Sequence, residues 1–233
     1  MKAIIAGLLF SQIVMASPEI VLSPVDHLYI PEGFDSNDSV EVVVTGSFPN
    51  ACFSRNQVEV AVNHDVIDIT VTAIAPDKSR QASPLCINML VPFKEVVPVG
   101  NLQGGDYEIR VNHQAATQLK DKLTVGEASS NAVDNHIYAA IDYVEQKSKN
   151  DFVLHGWRYS NCVDLKKIEV VSNGKDTFSI LTVMKQTAAV CPMKGMPIAY
   201  PVKLDFSALK MLKPLLHVRT MDGKSVNAIV NLE

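Results

Sequence analysis

The chain repeats itself, and no other feature restricts its fold as much. Val42, Val44 and Gly46 recur at one constant offset as Phe152, Leu154 and Gly156, and Cys52 recurs at that offset as Cys162. Val58 and Val60 match Ile168 and Val170, and after a shorter loop Cys86 matches Cys191. Further matches join Val25-Asp26-His27-Leu28-Tyr29 to Val133-Asp134-Asn135-His136-Ile137-Tyr138, Val91-Pro92-Phe93-Lys94 to Tyr200-Pro201-Val202-Lys203, and Tyr107-Glu108-Ile109-Arg110 to Leu216-His217-Val218-Arg219. A unit read twice in 233 residues is a module of roughly 105–110 residues, the usual size of one domain. The small and polar stretch Gly126-Glu127-Ala128-Ser129-Ser130-Asn131 suits a linker. The expected organisation is a first domain over 17–126, a linker over 127–131 and a second domain over 132–233.

Residues 1–16 are set apart. Met1-Lys2 precedes an apolar run that ends in Val14-Met15-Ala16, the pattern of a secretory signal peptide cleaved after Ala16. The run is too short to span a bilayer, and no later stretch of that length lacks charges, so no membrane span is expected. The short cationic start points to a bacterial chain, located in the periplasm or outside the cell.

That compartment decides how the four cysteines are read. In an oxidising environment an even count implies disulfides. With one pair at equivalent places in each copy, the simplest bridges are Cys52 to Cys86 and Cys162 to Cys191. Each closes a loop of about 30 residues, for which the chain-entropy model gives about 3–4 kcal/mol.

Period-two alternation dominates both halves. Val40 to Thr45, Val58 to Val62 and Ile67 to Thr72 place apolar side chains on one face and polar ones on the other. Tyr107 to Asn112 and Leu119 to Val125 read the same way around a reversal at Asn112-His113-Gln114. Asp222-Gly223 between two apolar runs is a hairpin signal. Ile137, Ala140, Ile141 and Val144 also fit helical spacing, but the matching stretch of the first copy contains Pro31 and Gly33, so a strand and loop are favoured over a helix at 137–147. The expected class is all-β, with an antiparallel sandwich in each half.

At Leu102-Gln103-Gly104-Gly105-Asp106-Tyr107 the chain resembles the turn before a late strand of immunoglobulin-like and fibronectin-III-like domains. The resemblance implies two tandem immunoglobulin-like sandwiches and a Tyr107 hydroxyl bonded to nearby backbone. Leu216 stands opposite Tyr107 in the second copy, so no such corner is expected there. The cysteine separations are short for an antibody-type bridge, and Trp157, the single tryptophan, precedes Cys162. As a whole the chain resembles a secreted bacterial two-module protein, a likeness that carries no activity.

Catalytic signatures are sparse. No nucleophile elbow, Walker loop, dinucleotide fingerprint or His-Glu-x-x-His pattern occurs, so no catalytic residue, cofactor or metal is expected. With 21 Lys+Arg against 25 Asp+Glu and no basic run, nucleic acid is not an expected partner. His27 and His136 recur in the repeat, which structural demand on a duplicated strand explains. Cys191, Met193 and Met196 offer soft sulfur ligands for Cu(I), but a bridge to Cys162 removes the thiolate.

The candidate partner-binding residues precede the first cysteine of each copy: Phe48-Pro49-Asn50, and Trp157-Arg158-Tyr159. Aromatic and Arg side chains concentrate binding energy at interfaces, and a tethered loop presents them with little entropy loss. The expected function is non-catalytic binding of a protein or an envelope glycan. Two alternatives are a two-domain periplasmic chaperone, which lends a strand and anchors a carboxylate with basic residues, and an inhibitor of an extracellular hydrolase.

Overall fold

A computed structural model describes residues 18–76, 86–113, 118–130, 132, 134–207, 209 and 211–232. The predicted signal peptide therefore lies outside the described residues, as do Asn131 of the linker and Gln114 of the predicted reversal.

The first half forms nine strands: β1 (Glu19–Leu22), β2 (Val25–Tyr29), β3 (Phe34–Asp35), β4 (Val40–Phe48), β5 (Ser54–Asn63), β6 (Val66–Ala75), β7 (Val91–Gly100), β8 (Gly105–Val111) and β9 (Leu119–Gly126). One sheet runs β1-β6-β8-β9-β3 with β5 on the other side of β6, and the second runs β2-β4-β7. Their inner faces meet in one core: Ile67, Ile69, Val71, Ile109 and Leu123 from the larger sheet, Val42, Val44, Phe93 and Val97 from the smaller. Residues of alternating polarity on β6 produce this directly, since only its odd-numbered positions face inward.

The second half contributes β10 (Ile137–Tyr138), β11 (Ala140–Gln146), β12 (Asp151–Arg158), β13 (Val163–Ser172), β14 (Thr177–Gln186), β15 (Met196–Lys203), β16 (Leu215–Arg219) and β17 (Ser225–Ile229). Its sheets are β10-β14-β16-β17 with β13 beside β14, and β11-β12-β15. Phe152, Leu154 and Val202 of the smaller sheet pack there on Phe178, Ile180, Leu216 and Val218 of the larger. The pairing order is that of the first half without β3. The 137–147 segment is strand, and Asp222 and Gly223 both adopt positive φ, 62° and 65°, as the tight turn of a hairpin between β16 and β17 requires.

The protein is thus an all-β sandwich protein, but its larger sheets are mixed, which corrects the expectation of antiparallel sandwiches. β6 pairs with β8, β3 with β9 and β14 with β16 in parallel. Between β6 and β8 the chain passes through β7 in the opposite sheet, and one intervening strand returns it in its original direction.

Disulfides join Cys52 to Cys86 and Cys162 to Cys191, the expected pairs. Each ties the segment after β4 or β12 to the segment before β7 or β15. Cys191 therefore offers no thiolate to copper. The Tyr107 hydroxyl donates to the Gln103 carbonyl at 2.9 Å, the corner implied by the resemblance.

Register corrects part of the sequence alignment. Val25 stands opposite Gly46 and Ile141 opposite Gly156, each followed by a bulge before His27 and Tyr143. The counterpart of Val25-Asp26-His27 is therefore Ile141-Asp142-Tyr143, and His136 is no counterpart of His27. Likewise Phe93 faces Gly46 where Ile198 faces Gly156, so Pro92 matches Pro197. On the parallel pairs, Ile109 lies opposite Ile67 and Leu216 opposite Phe178, which matches Leu216 to Ile109 and leaves Tyr107 without Leu216 as its partner.

Candidate functional site

The two halves meet through side chains that the repeat alone does not announce. β14 is buried from Thr177 to Met184, both faces included, as expected for an uncharged strand covered on two sides. Its neighbour β16, between β14 and β17, carries Leu215, His217 and Arg219, all at most 7% exposed. Leu215 packs with Tyr29 and Val43 of the first half, flanked by Met211 and Ile229. The Tyr29 hydroxyl donates to Lys213 O at 2.8 Å, and burial, with Asp176 and Asp26 nearby, raises its pKa to about 12.

Arg219 is the centre of this junction. Its guanidinium donates through both terminal nitrogens to Asp38, through Nη1 to Gly33 O at 3.2 Å and through Nη2 to Asp134 at 3.0 Å. It lies 5.0 Å from the Tyr138 ring centroid and 5.6 Å from that of Phe34, within cation–π range of both. Asp38 is 2% exposed and accepts a further bond from Asp35 N at 2.7 Å. His27 Nε2 lies 2.8 Å from Asp176 Oδ2 across the same junction, which gives His27 a structural role. Burial alone would raise the Asp176 pKa, but bonds from His27, Asn173 and Thr177 outweigh it and hold the carboxyl below its usual range.

A cavity of about 180 Å³ opens beside Arg219, bounded by Asp38, Glu41, Asn101, His217 and Lys224. His217 Nδ1 lies 3.0 Å from Asn227 Oδ1 and 3.5 Å from Glu41 Oε1, while its Nε2 has no hydrogen-bond partner. Burial lowers the His217 pKa, with Arg219 adding to the effect and Glu41 and Asn227 opposing it. The imidazole is held neutral, so below its ordinary pKa the unfolded chain takes up a proton that the folded chain refuses. Stability is therefore expected to fall as the pH drops below about 6.5, at up to about 1.4 kcal/mol per pH unit from this group. Urea unfolding of wild type and His217→Gln between pH 7.5 and 5 checks this: the variant should lose that part of the slope, and parallel curves would refute it.

The six predicted binding residues do not form one type of surface. Phe48 is 3% exposed and stacks on Phe93 at 4.6 Å, and Asn50 is 8% exposed with its Oδ1 accepting the Cys52 amide at 2.9 Å. Both serve the core and the turn, which corrects their assignment to a presented loop and leaves Pro49 exposed alone. Arg158 is half-buried and pairs with Asp164 at 2.7 Å, and Tyr159 packs against the core of the second half. Of this second trio Trp157 stands out, at 50% exposure on the outer face of β12.

Its companions are residues that sequence reasoning missed. Tyr143, 53% exposed, stacks on His155 with centroids 4.6 Å apart and planes 10° from parallel. His155 Nε2 lies 2.9 Å from Glu145 Oε2, which orients the imidazole. His155 and Trp157 are two positions apart on β12 and so share its outer face, about 7 Å apart along the strand. Across the sheet they are flanked by Ala199 and Pro197 of β15, both exposed. The result is an aromatic strip on the outer face of the three-stranded sheet. Period two links His155 to Trp157 in the sequence, but Tyr143 joins them only through the β11–β12 register.

Residues 42–120 match the ORF11 beta-sandwich domain. No curated protein and no solved structure matches the chain. The ORF11-type stretch begins in β4 and ends in β9, so it includes the Cys52–Cys86 bridge and the Tyr107 corner. It excludes the aromatic strip and Arg219, which belong to the second half.

Proposed function

We propose that this chain is a secreted, non-catalytic binding protein of bacterial origin. In this reading residues 1–16 are a signal peptide, 17–126 and 132–233 are tandem immunoglobulin-like domains with one disulfide each, and 127–131 link them. The recurrence of strand order and bulge positions supports the duplication, and two disulfides suit a periplasmic or extracellular location. Among the described residues no helix is long and apolar enough to cross a membrane. The observation that carries the binding reading is the outer face of β11-β12-β15, where Trp157 and Tyr143 stand about half exposed on rigid strands.

The basic and imidazole groups at the junction favour binding over chemistry, because their partners are structural. Arg219 is committed to Asp38 and Asp134, and His27 to Asp176. A carboxylate-anchoring chaperone needs its Arg free in the cleft, so the same commitment speaks against that alternative. The test is sedimentation of purified protein with envelope fragments from the cell that makes it. Wild type is expected to pellet and Trp157→Ala to remain mostly in the supernatant; equal behaviour of the two, or no pelleting, would overturn the reading.

A further inference from the structure

We infer that the strip on the outer face of β11-β12-β15 binds a glycan strand, with Trp157 and Tyr143 stacking on successive sugar rings. The inference rests on the binding reading above and names the chemistry of its partner.

The decisive comparison is internal to the molecule. On the matching face of the first half, Tyr29 and Val43 form the apolar centre on which Leu215, Met211 and Ile229 dock. Register places Glu145 and Val153 at those positions in the second half, since Tyr29 faces Val43 and Glu145 faces Val153. A protein docking there in the same way would bury the Glu145 carboxylate together with its partners Lys147, at 2.5 Å, and His155, and taking an exposed ion pair out of water is costly. The face that receives protein in one copy is thus poorly suited to the same kind of apolar partner in the other.

The other end of the face has changed in the opposite direction. Where the first half has Ser47, Thr45 and His27, the second has Trp157, His155 and Tyr143. Two small polar side chains have given way to rings and an imidazole to a tyrosine, and Tyr143 and His155 are already stacked. Such rings bring a large contact area that needs little ordering on binding. Pro197 and Ala199 are short, exposed side chains on the adjoining strand, so the surface beside the rings is open. An extended ligand of flat rings with apolar C–H faces and hydroxyl edges fits it: the faces lie on Trp157 and Tyr143, and the hydroxyls reach His155 and Glu145. A spacing of about 7 Å between the Tyr143–His155 row and Trp157 is on the scale of one sugar residue.

The probe is peptidoglycan sacculi, boiled in detergent and treated with protease so that only glycan and its short peptides remain. Full-length protein is expected to pellet with them, Trp157→Ala to bind at least tenfold more weakly, Tyr143→Ala several-fold more weakly, and Trp157→Phe within about threefold of wild type. Both side chains lie on an exposed face, so unchanged denaturation midpoints of the three variants confirm the fold. Wild-type affinity in Trp157→Ala would overturn the assignment of the face. Trp157-dependent binding to untreated envelopes without binding to sacculi would make the partner a protein, and Trp157-dependent self-association would make it a second copy; either overturns the glycan assignment while leaving a binding function. Loss of binding to both preparations would remove the binding reading itself.

Discussion

Arg219→Met is expected to lower the unfolding free energy by about 4 kcal/mol near neutral pH, the range for breaking one side of a buried ion pair. The methylene stem is largely preserved in the variant, so the loss is chiefly electrostatic. Asp38 would remain 2% exposed with no cation and only the Asp35 amide as partner. Asp134, at 15% side-chain exposure, would lose its cation as well; its pKa is already raised by burial, against the pull of Arg219. The cost should shrink in acid, because Asp134, whose pKa burial raises, no longer needs the guanidinium once it is protonated. Combining Arg219→Met with Asp38→Asn is expected to recover a large part of the loss, since the buried charge is then removed from both sides. Equilibrium denaturation of the two single variants and the double variant measures the coupling. Simple additivity would mean that Arg219 acts through packing on Tyr138 and Phe34 rather than through the carboxylates.

A comparable loss, about 4 kcal/mol, is expected for Gly156→Ala, although it adds one methyl group. Gly156 faces the bulge of β11, and a Cβ there would lie 1.9 Å from Ala140 O and 2.8 Å from Ile141 Cα. Both obstacles are backbone, so no rotamer change relieves them and the β11–β12 pairing must open. Gly46 occupies the matching place in the first half, with Pro24 O at 2.2 Å and the Phe93 ring at 2.5 Å from the same notional atom. Gly46→Ala should therefore also destabilise, while Gly174→Ala, whose Cβ meets nothing within 4 Å but whose φ is +70°, should cost only about 1 kcal/mol. Chemical denaturation ranks the three. A cost below about 1 kcal/mol for Gly156→Ala would show that the bulge is not held against β12 as described.

These glycines also show where sequence reasoning succeeded. A constant offset pairs Gly46 with Gly156, and the structure gives them the same task. The alignment holds through β4, β5 and the cysteines, where few insertions intervene. It fails at β2, where a bulge and an inserted residue intervene, and it slips at β7 and β8 by an even number of positions in each case. An even slip leaves inward and outward residues in phase, so alternation cannot detect it, and only the partner strand fixes the register.

The candidate site was legible in part for the same reason. Trp157 stands out by its residue type, but the aromatic, Arg and Pro residues grouped with it point in different directions once placed on a strand and a turn. Phe48 is a core residue because it ends the inward-facing row of β4. The uncharged run Thr177 to Met184 carried a readable sign of a strand covered on both faces, and with it a sign that the second half packs outward on a neighbour.

From sequence alone follow the all-β class, the residues that recur at a constant offset, the two disulfide pairs and the Asp222-Gly223 turn. Each depends on local periodicity, on residue chemistry or on a comparison of the chain with itself. Tertiary structure alone decided the parallel strand pairs, the burial of Arg219 between Asp38 and Asp134, and the meeting of Tyr143 with His155 and Trp157. Those features depend on which strands become neighbours across long sequence separations, and a period-two pattern states which way a side chain faces without stating what it faces.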